Sequence, residues 1–378
     1  MIIHFSTVHP RADTRIRVKE VATLARVWPG RVALFVQDGK GDEADAGGGY
    51  VIRDTGAPER GRLRRMTLGA FRMYRAIRRA RPAVAHFHDP ELLPWAMLLQ
   101  LRGVKVIYDM HEDLPSQLRH KAYLSPIFAR GLGRVALFSE WLAVRLLSGV
   151  VVVSPVTQAR LEQHGTLLLA NYPSLAEFPD ITADEPQETL GVFVYVGGME
   201  RVRGISEMID AIARVPNLRA RLHLLGAFSE PRLEAETEMR RGWERVEFMG
   251  WSSRETVVGE LSRACAGLLL LHPTPQYAAS YPVKLFEYMA AGLPVIASDF
   301  PLWREILEQA RCGVLVDPQD PQAIADAMQW ILDHPEEAAA MGRRGRAAVE
   351  DRYNWEAESE KLIALYERLL NTGQGTDS

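Results

Sequence analysis

Residues 266–298 read AGLLLLHPTPQYAASYPVKLFEYMAAGLPVIAS. The segment begins with an apolar run, continues with a stretch that starts at a proline and stops at Ala-Gly, and ends with a second apolar run. Short runs of Leu, Ile and Val without polar alternation are typical of strands that helices cover on both faces. A proline at the first position and a glycine just after the last position commonly mark the two ends of a helix. The segment therefore predicts a strand–helix–strand unit of a parallel sheet.

The same alternation recurs along the chain, in the runs MIIHFS, RVALFV, AVAHFH, KVIYDM, GVVVVS, GVFVYVG, LHLLGA and GVLVD. At 378 residues the chain is too long for one ordinary hydrophobic core. The pattern predicts an α/β protein with two Rossmann-like, doubly wound domains facing a cleft. We place the N-terminal domain at 1–172, a proline-rich acidic linker at 173–190, the C-terminal domain at 191–352, and a helix with a polar tail at 353–378.

Composition excludes several protein classes. The 47% hydrophobic and 25% charged residues are ordinary for a globular protein, and two cysteines do not make a disulfide scaffold. The N-terminus lacks the features of a secretory signal, and no run approaches the ~20 apolar residues of a spanning helix. These features predict a cytoplasmic protein. Residues 1–172 carry 25 Lys and Arg against 15 Asp and Glu, whereas the remainder carries 20 against 33, so different partners are expected for each half.

In open α/β sheets, ligands bind at the carboxyl ends of strands. Within residues 266–298, Glu287 lies on the helix, and a carboxylate accepts hydrogen bonds from the two hydroxyls of a ribose. The helix start offers free backbone amides and a dipole that favour a diphosphate, and Lys284 adds a cation. The contacts expected at this start come from Ser280, Tyr281, Pro282 and Val283. An amphipathic helix with Lys284 and Glu287 solvated is the alternative for these residues taken alone.

Residues 284–299, KLFEYMAAGLPVIASD, resemble the donor motif of the retaining glycosyltransferases of family 4, which have the GT-B fold. The resemblance covers nearly the whole chain. It implies transfer of a sugar, of hexosyl type, from a UDP- or GDP-sugar to a saccharide or lipid-linked acceptor. It also implies retention of configuration, no metal cofactor, a C-terminal helix that crosses back to the N-terminal domain, and a role in polysaccharide or glycoconjugate biosynthesis.

A second loop, YVGGMERVRG at 195–204, resembles the loop in which this family neutralises the donor phosphates with an Arg and a Lys. Arg203 stands at the lysine position, and Gly197 and Gly198 form the turn. Gly198 occupies the usual arginine position, so Arg201 is a candidate substitute.

The family pattern also has a glutamate eight residues before Glu287, which contacts the donor sugar. This chain has Ala279 there, and that contact must come from Tyr277, Ser280 or backbone amides.

Three loops of the first domain supply further candidates. The stretch HFHDPELLP at 86–94 has Asp89 and Pro90 where a helix begins, with His88 as a substrate contact. A zinc site of His86 and His88 is conceivable, but no third and fourth ligand follow at useful spacing, so we expect no metal.

The stretch YDMHEDLP at 108–115 resembles the family loop that brings a histidine to the donor sugar and leaving phosphate. That role falls to His111, and Glu112 is expected to face the acceptor. The stretch VHPRADTRIRVKE at 8–20 resembles a variant found in polysaccharide-assembly members, where Asp13 and Arg15 reach the substrate. A helix N-cap at Asp13 followed by a solvated basic helix is the alternative reading.

Residues 60–82 carry nine arginines and no acid. Arg72, Arg75, Arg78 and Arg79 fall on one helical face. Such a face docks on an anionic membrane surface or on the diphosphate of a lipid-linked acceptor, or is simply solvated. The apolar and basic stretch 123–147 adds to the case for a membrane-associated acceptor. No nucleic-acid-binding module is recognisable.

Three competing functions stay open. A sugar-nucleotide 2-epimerase shares the fold and the donor site but needs its own acid–base carboxylates. A catalytically weak nucleotide-sugar-binding subunit would accommodate Gly198 and Ala279. A dehydrogenase is the least suited, because the chain has no G-x-G-x-x-G turn after its first strand.

Overall fold

The computed structural model describes residues 1–44, 47–111, 126–161, 165–178 and 191–371. The chain forms two compact units. Unit 1 comprises Met1–Asn171 and Ala357–Ser378, and unit 2 comprises Tyr172–Glu356. Each unit is built on one parallel sheet with helices, as the alternation of apolar runs predicts. Residues 179–190 of the predicted linker lie outside the described residues.

The strands of unit 1 are β1 (Ile2–Phe5), β2 (Val32–Val36), β3 (Tyr50–Asp54), β4 (Val84–Phe87), β5 (Lys105–Met110), β6 (Gly149–Val152) and β7 (Leu167–Leu168). Its helices are α1 (Ala22–Val27), α2 (Ala70–Ala80), α3 (Leu93–Gln100), α4 (Pro126–Leu146) and α5 (Pro155–Leu161). Further helical segments are Thr14–Val21, Arg62–Arg64, Arg65–Gly69 and Pro90–Leu92.

The sheet of unit 1 has the order β3-β2-β1-β4-β5-β6-β7. Strand order therefore reverses direction at the neighbours β1 and β4, where His4 pairs with His86 and Phe5 with Phe87. Alternate residues point to opposite faces, so Phe5 and Phe87 enter the apolar core while the histidines share the other face. The two strands leave a switch point at their carboxyl ends, which is where ligands of doubly wound sheets bind.

The strands of unit 2 are β8 (Val192–Val196), β9 (Arg221–Leu225), β10 (Val246–Gly250), β11 (Ala266–Leu269), β12 (Val295–Ser298) and β13 (Gly313–Val316). Its helices are α6 (Ile205–Ile212), α7 (Pro231–Glu238), α8 (Arg254–Arg263), α9 (Val283–Ala290), α10 (Pro301–Ala310), α11 (Pro321–Asp333) and α12 (Pro335–Asp351). Shorter helical turns are Leu175–Glu177, Arg201–Arg203, Arg241–Arg245 and Pro275–Ala278.

The sheet of unit 2 has the order β10-β9-β8-β11-β12-β13, so its switch point lies between β8 and β11. Tyr288 of α9 packs across both strands. Its hydroxyl accepts a hydrogen bond from the backbone N–H of Val196 at 3.1 Å and donates to the carbonyl of Leu268 at 3.3 Å. The ring lies where a side chain on Gly267 would be, with a Cβ at that position only 2.4 Å from it. Glycine on β11 thus lets α9 approach the switch point.

The last helix, α13 (Trp355–Asn371), begins in unit 2 and ends in unit 1. Its apolar residues at helical spacing, Leu362, Leu365 and Leu369, are buried, as is Tyr366. The expected return of the C-terminal helix to the N-terminal domain is confirmed.

Candidate functional site

The loops that follow β1 and β4 are joined by Asp89. Its Oδ2 accepts hydrogen bonds from the Ser6 hydroxyl at 2.9 Å and from the backbone N–H of Thr7 at 2.6 Å. Asp89 stands at the N-cap position of the turn that begins at Pro90, as predicted, but its side chain makes no cap hydrogen bond there. The carboxylate instead fixes the two loops at the switch point of unit 1.

The loop after β1 ends at Asp13, which caps the following helical segment by accepting from the N–H of Ile16 at 2.9 Å. Its Oδ2 lies 3.1 Å from Nδ1 of His9. Burial opposes the charge on both groups. Even so, this pairing and the charge of Asp89 raise the pKa of His9, while His9 and the Ile16 amide lower the pKa of Asp13 to about 2. The N-cap reading of Asp13 holds, and the sequence analysis missed His9, whose only signal is its position four residues before Asp13.

Arg15, predicted to reach the substrate, is buried and forms a two-pronged ion pair with Asp109 at the end of β5. Nε lies 2.9 Å from Oδ2 and Nη2 lies 3.0 Å from Oδ1. Nη1 donates to the carbonyl of Leu169 at 3.1 Å. Although burial disfavours the charged carboxylate, Arg15 and His111 hold the pKa of Asp109 well below its usual range. Arg15 therefore holds Asp109 in place from the interior of the protein.

The ring of His111 lies directly on this ion pair. Its Nε2 is 2.8 Å from Oδ2 of Asp109 and 3.1 Å from Nδ1 of His88. The His111 side chain is 17% exposed, whereas His88 is fully enclosed. The structure therefore brings the predicted residues Arg15, His88 and His111 together, but only His111 of the three reaches the surface. Glu112 lies outside the described residues.

Four buried side chains in the described part of unit 1 have donor atoms within 4.8 Å of one another, namely Glu20, His86, His88 and Asp109. Two of them are the third and fourth donors that sequence spacing did not supply. The set nevertheless suits a cation poorly, because Arg15 already occupies it, with Nε 3.1 Å from Glu20 and 2.9 Å from Asp109. Burial and the charge of Asp109 raise the pKa of Glu20, which favours its neutral acid form.

In unit 2, Lys284 lies at the start of α9 against the glycine turn that follows β8. Gly197 has a φ of +130°, and a Cβ there would be 2.5 Å from the lysine Cε, so only glycine allows this approach. Nζ lies 5.5 Å from the centre of the Tyr195 ring. Burial and the neighbouring charge of Arg203 lower the pKa of Lys284 to about 8.

Arg203 completes this basic pair. Burial opposes its charge, but Tyr195 and Glu200 raise its pKa, and its Nη2 lies 3.3 Å from Glu200. Its Nε is buried and has no hydrogen-bond partner within the described residues. Gly204 directly after it has a φ of +69° and would place a Cβ 2.2 Å from the carbonyl of Leu270. The glycine turn thus brings Arg203 and Lys284 to one edge of the sheet.

Glu287 is one turn further along α9 and is engaged by a residue that sequence analysis missed. Its Oε1 lies 2.8 Å from Nη2 of Arg254, and Nε of Arg254 bonds Glu177 at 2.7 Å. Only 15% of the Glu287 side chain is exposed, so the carboxylate is not solvated on an outer face. No sequence motif marks Arg254, which lies 33 residues before Glu287.

The helix start itself is open in the manner expected. Pro282 is the N-cap residue of α9, and no side chain caps the helix. The preceding turn is fixed by the Ser280 carbonyl, which accepts from Nε1 of Trp303 at 2.9 Å, and by the Ser280 hydroxyl, which donates to the carbonyl of Tyr277 at 3.0 Å. Tyr281 and Val283 flank Pro282 and are half-buried.

Arg201, the suggested substitute for the missing arginine, is 54% exposed and pairs with Glu236 at 2.6 Å. Gly198 lies in the turn, and its carbonyl accepts from the Tyr195 hydroxyl at 2.7 Å. The cations that the structure gathers at this turn are therefore Lys284 and Arg203.

The arginine-rich face of unit 1 lies on α2 and the turns before it. Arg72 pairs with Glu59 at 2.7 Å. Arg72, Arg75 and Arg79 line one cavity of about 560 Å³ with Phe71, which is 41% exposed. On α4, Phe138 and Trp141 are also exposed, at 60% and 45%. Within the described residues, no helix combines the length and apolar character needed to cross a bilayer.

Comparisons with known proteins agree with this architecture. The family model "Glycosyl transferases group 1" matches residues 179–348, and "Glycosyltransferase Family 4" matches residues 20–167. Glycogen synthase of Mycobacterium tuberculosis is 25% identical over 298 residues, covering 76% of this chain and 69% of that protein. Phosphatidyl-myo-inositol mannosyltransferase of Mycobacterium leprae is 25% identical over 314 residues, covering 77% and 74%.

Solved structures show the same fold. Sucrose-phosphate synthase of Thermosynechococcus elongatus aligns with a TM-score of 0.77 at 22% identity, over 98% of this chain and 99% of that one. The Anabaena protein HepE in complex with UDP-glucose aligns with a TM-score of 0.72 at 16% identity, over 97% and 99%.

Proposed function

Because the chain belongs to the group 1 glycosyltransferases of family 4 and has the GT-B fold, we propose that it transfers a hexosyl group from a UDP- or GDP-sugar to a saccharide or lipid-linked acceptor. The transfer retains configuration and needs no metal ion. Polysaccharide or glycoconjugate biosynthesis is the process it serves, at the cytoplasmic face of a membrane. The donor part of the proposal rests on unit 2, and the acceptor part on unit 1.

The observation that carries the proposal is Lys284. No carboxylate in the described part of the chain makes an ion pair with this ammonium, although burial and Arg203 already lower its pKa to about 8. A partly buried cation beside a second cation is unfavourable unless an anion binds there. The uncapped start of α9 supplies N–H donors and a positive dipole at the same place. A diphosphate satisfies all three features.

These groups also explain how the reaction proceeds without a metal. The bond from the sugar to the diphosphate breaks as negative charge builds up on the leaving phosphate. Fixed cations directed at that charge stabilise the transition state more than the ground state. Lys284 and Arg203 are catalytic residues in this scheme. Glu287 binds the ribose hydroxyls, and its contact with Arg254 orients the carboxylate.

Unit 1 supplies further substrate contacts in this proposal. His111 is the exposed end of a buried polar cluster and binds a substrate hydroxyl. Asp13 and His9 lie beside it, with the His9 and His111 rings 4.9 Å apart. The exposed Phe71, Phe138 and Trp141, together with the arginines of α2, suit an anionic membrane surface that holds a lipid-linked acceptor.

Calorimetric titration of UDP, GDP, ADP and their sugars into the purified protein tests the donor site. We expect one nucleotide to bind selectively and Glu287→Ala to remove that binding. Glu238→Ala, an exposed acid at the end of α7, is the matched control and should leave binding unchanged. No binding of any nucleotide would overturn the donor assignment. Selective binding without transfer to any acceptor would favour the weak binding subunit.

Vesicle flotation tests the membrane part separately. The variant Arg72→Glu/Arg75→Glu/Arg79→Glu should lose binding to vesicles that contain phosphatidylglycerol. Arg219→Glu/Arg232→Glu/Arg263→Glu changes the net charge by the same amount on unit 2. It is the control for the effect of net charge alone. Undiminished binding of the first variant contradicts the role of α2.

A further inference from the structure

A chain of hydrogen-bonded side chains continues inward from His111 through unit 1. Oδ2 of Asp109 lies 3.3 Å from Nδ1 of His88, and Nε2 of His88 lies 3.2 Å from Nδ1 of His4. Nε2 of His4 lies 2.9 Å from the hydroxyl of Tyr366, which lies 2.8 Å from Nδ1 of His86. All five side chains are buried. The proposed donor site uses none of them.

Among these five hydrogen-bonded side chains, Tyr366 is the one that comes from a helix. His4 comes from β1, His86 lies on β4 with His88 directly after it, and Asp109 lies near the end of β5, so the other members belong to three neighbouring strands. Tyr366 comes from α13, the helix that returns to unit 1 at the end of the sequence. This series of hydrogen bonds therefore links the position of α13 to the carboxyl ends of the strands, where His111 lies.

The contacts determine which nitrogen of His111 carries a proton. Asp109 is held by both prongs of Arg15 and is an acceptor only. Nε2 of His111 lies 2.8 Å from its Oδ2 and must donate to it. In the neutral imidazole, Nδ1 then carries the lone pair. That atom is an acceptor, as a substrate hydroxyl requires.

The hydroxyl of Tyr366 allows the chain to be satisfied. Because Asp109 is an acceptor only, Nδ1 of His88 donates to it and Nε2 of His88 accepts from Nδ1 of His4. Tyr366 therefore donates to Nε2 of His4 and accepts from Nδ1 of His86. A hydroxyl can donate and accept at once. The described residues offer no other hydrogen-bond partner for these two nitrogens. Without it, Nε2 of His4 and Nδ1 of His86 are buried and unpaired, which is unfavourable.

We propose that Tyr366 is a positioning residue for His111. Through His4 and His88 it fixes the position of Asp109 and of the His111 ring on it, while Asp109 keeps the proton on Nε2, so that Nδ1 accepts a hydrogen bond from a substrate hydroxyl. This inference rests on the proposed function, since the hydroxyl belongs to a substrate of the transfer. It adds a contribution of the C-terminal helix to the reaction.

A double-mutant cycle tests whether Tyr366 acts through His111. We expect Tyr366→Phe to lower kcat about tenfold, the effect of losing one buried hydrogen bond, with little change in KM for the nucleotide sugar. In the His111→Ala background the same change should lower kcat less than twofold. Tyr74→Phe removes the hydroxyl of another buried tyrosine of unit 1 and should have no effect. Equal losses in both backgrounds would overturn the proposal.

Should Tyr366→Phe weaken the packing of α13, His4→Leu breaks the same chain within the sheet and leaves the helix untouched. It must show the same dependence on His111. A loss that is independent of His111 in this variant also overturns the proposal.

A measurement without turnover separates this inference from the proposed function. In protein labelled with ¹⁵N-histidine, the ring nitrogens of His111 are identified by their loss in His111→Ala. We expect the proton on Nε2, and we expect Tyr366→Phe to shift both ring-nitrogen resonances. A proton on Nδ1, or shifts that Tyr366→Phe leaves unchanged, would refute the positioning role even if transfer is observed. A stoichiometric metal ion found by elemental analysis would also refute it, since Asp109 and His88 would then be ligands.

Discussion

The two units have the same strand order around their switch points and fill those points in opposite ways. In unit 1 the switch point between β1 and β4 contains Arg15, whose charge Asp109 balances through two hydrogen bonds. In unit 2 the switch point between β8 and β11 contains Lys284 and Arg203, and within the described residues neither is held by a buried carboxylate in this way. Arg15 completes the protein's own structure, and in the proposed function Lys284 and Arg203 bind the donor diphosphate.

Under the proposed function, one architecture serves two tasks. A paired, buried charge holds neighbouring side chains in fixed positions, which is what a substrate-orienting surface needs. Poorly paired, partly exposed cations attract an anion and stabilise charge that develops on it. Topology places both sites, and the partner of each cation determines its role. Four changes of residue or pH test this contrast.

The largest effect is expected from Arg15→Met. This change leaves Asp109 buried without its cation, which costs about 3–5 kcal/mol of unfolding free energy. Arg254→Met removes a 41% exposed guanidinium from unit 2 and should cost about 1 kcal/mol or less. Urea unfolding followed by circular dichroism measures both. Similar losses for the two variants would mean that the Arg15 pair is no more structural than a surface contact.

Lys284→Met should spare the fold and impair the chemistry. Removing one fixed cation that stabilises a leaving phosphate is expected to lower kcat by about 10²–10³-fold. Thermal unfolding should change little, because a partly buried unpaired cation does not stabilise the folded state. Lys40→Met, an exposed lysine of unit 1, is the control. Initial rates with the cognate donor decide the outcome, and a loss below tenfold would place Lys284 outside the mechanism.

Sequence reasoning went far at the level of elements and motifs. Alternating apolar runs predict both sheets, and residues 353–378 are correctly predicted to contain a helix, because each depends on local sequence pattern. The donor motif places Lys284 and Glu287 on one helix for the same reason.

Contacts between distant segments could not be predicted in this way. Arg254 reaches Glu287 from another helix, and Tyr366 reaches His4 across 362 residues. His9 was missed because a histidine on an irregular loop has no periodic signal. Arg15 was expected to face the substrate, since nothing local reveals that Asp109, 94 residues away, holds it inside.

A smaller effect is expected from Asp13 at low pH. Its pKa in the folded protein is about 2, below its ordinary value of 3.8, so the carboxylate stabilises the fold above that value and the stabilisation is lost as the pH falls toward 2. The difference corresponds to roughly 2 kcal/mol. Asp13→Asn keeps an N-cap residue but cannot titrate. The difference in unfolding free energy between the two proteins should therefore shrink between about pH 5 and pH 2, and a constant difference contradicts the ion pair with His9.

The smallest effect concerns nucleotide binding at high pH. The pKa of Lys284 is about 8 in the free protein, so the ammonium that attracts the diphosphate is mostly present at pH 7 and mostly lost at pH 9. Affinity for the nucleoside diphosphate should fall by about tenfold over this range, because the terminal phosphate, with a pKa of about 6, is already mostly ionised at pH 7 and the lysine loses its charge. Lys284→Arg stays charged and should flatten the profile. Arg15 of unit 1 stays charged at both pH values, because Asp109 raises its pKa despite its burial. A wild-type profile as flat as that of Lys284→Arg would show that unit 2, like unit 1, neutralises its own cation, and the contrast between the two switch points would disappear.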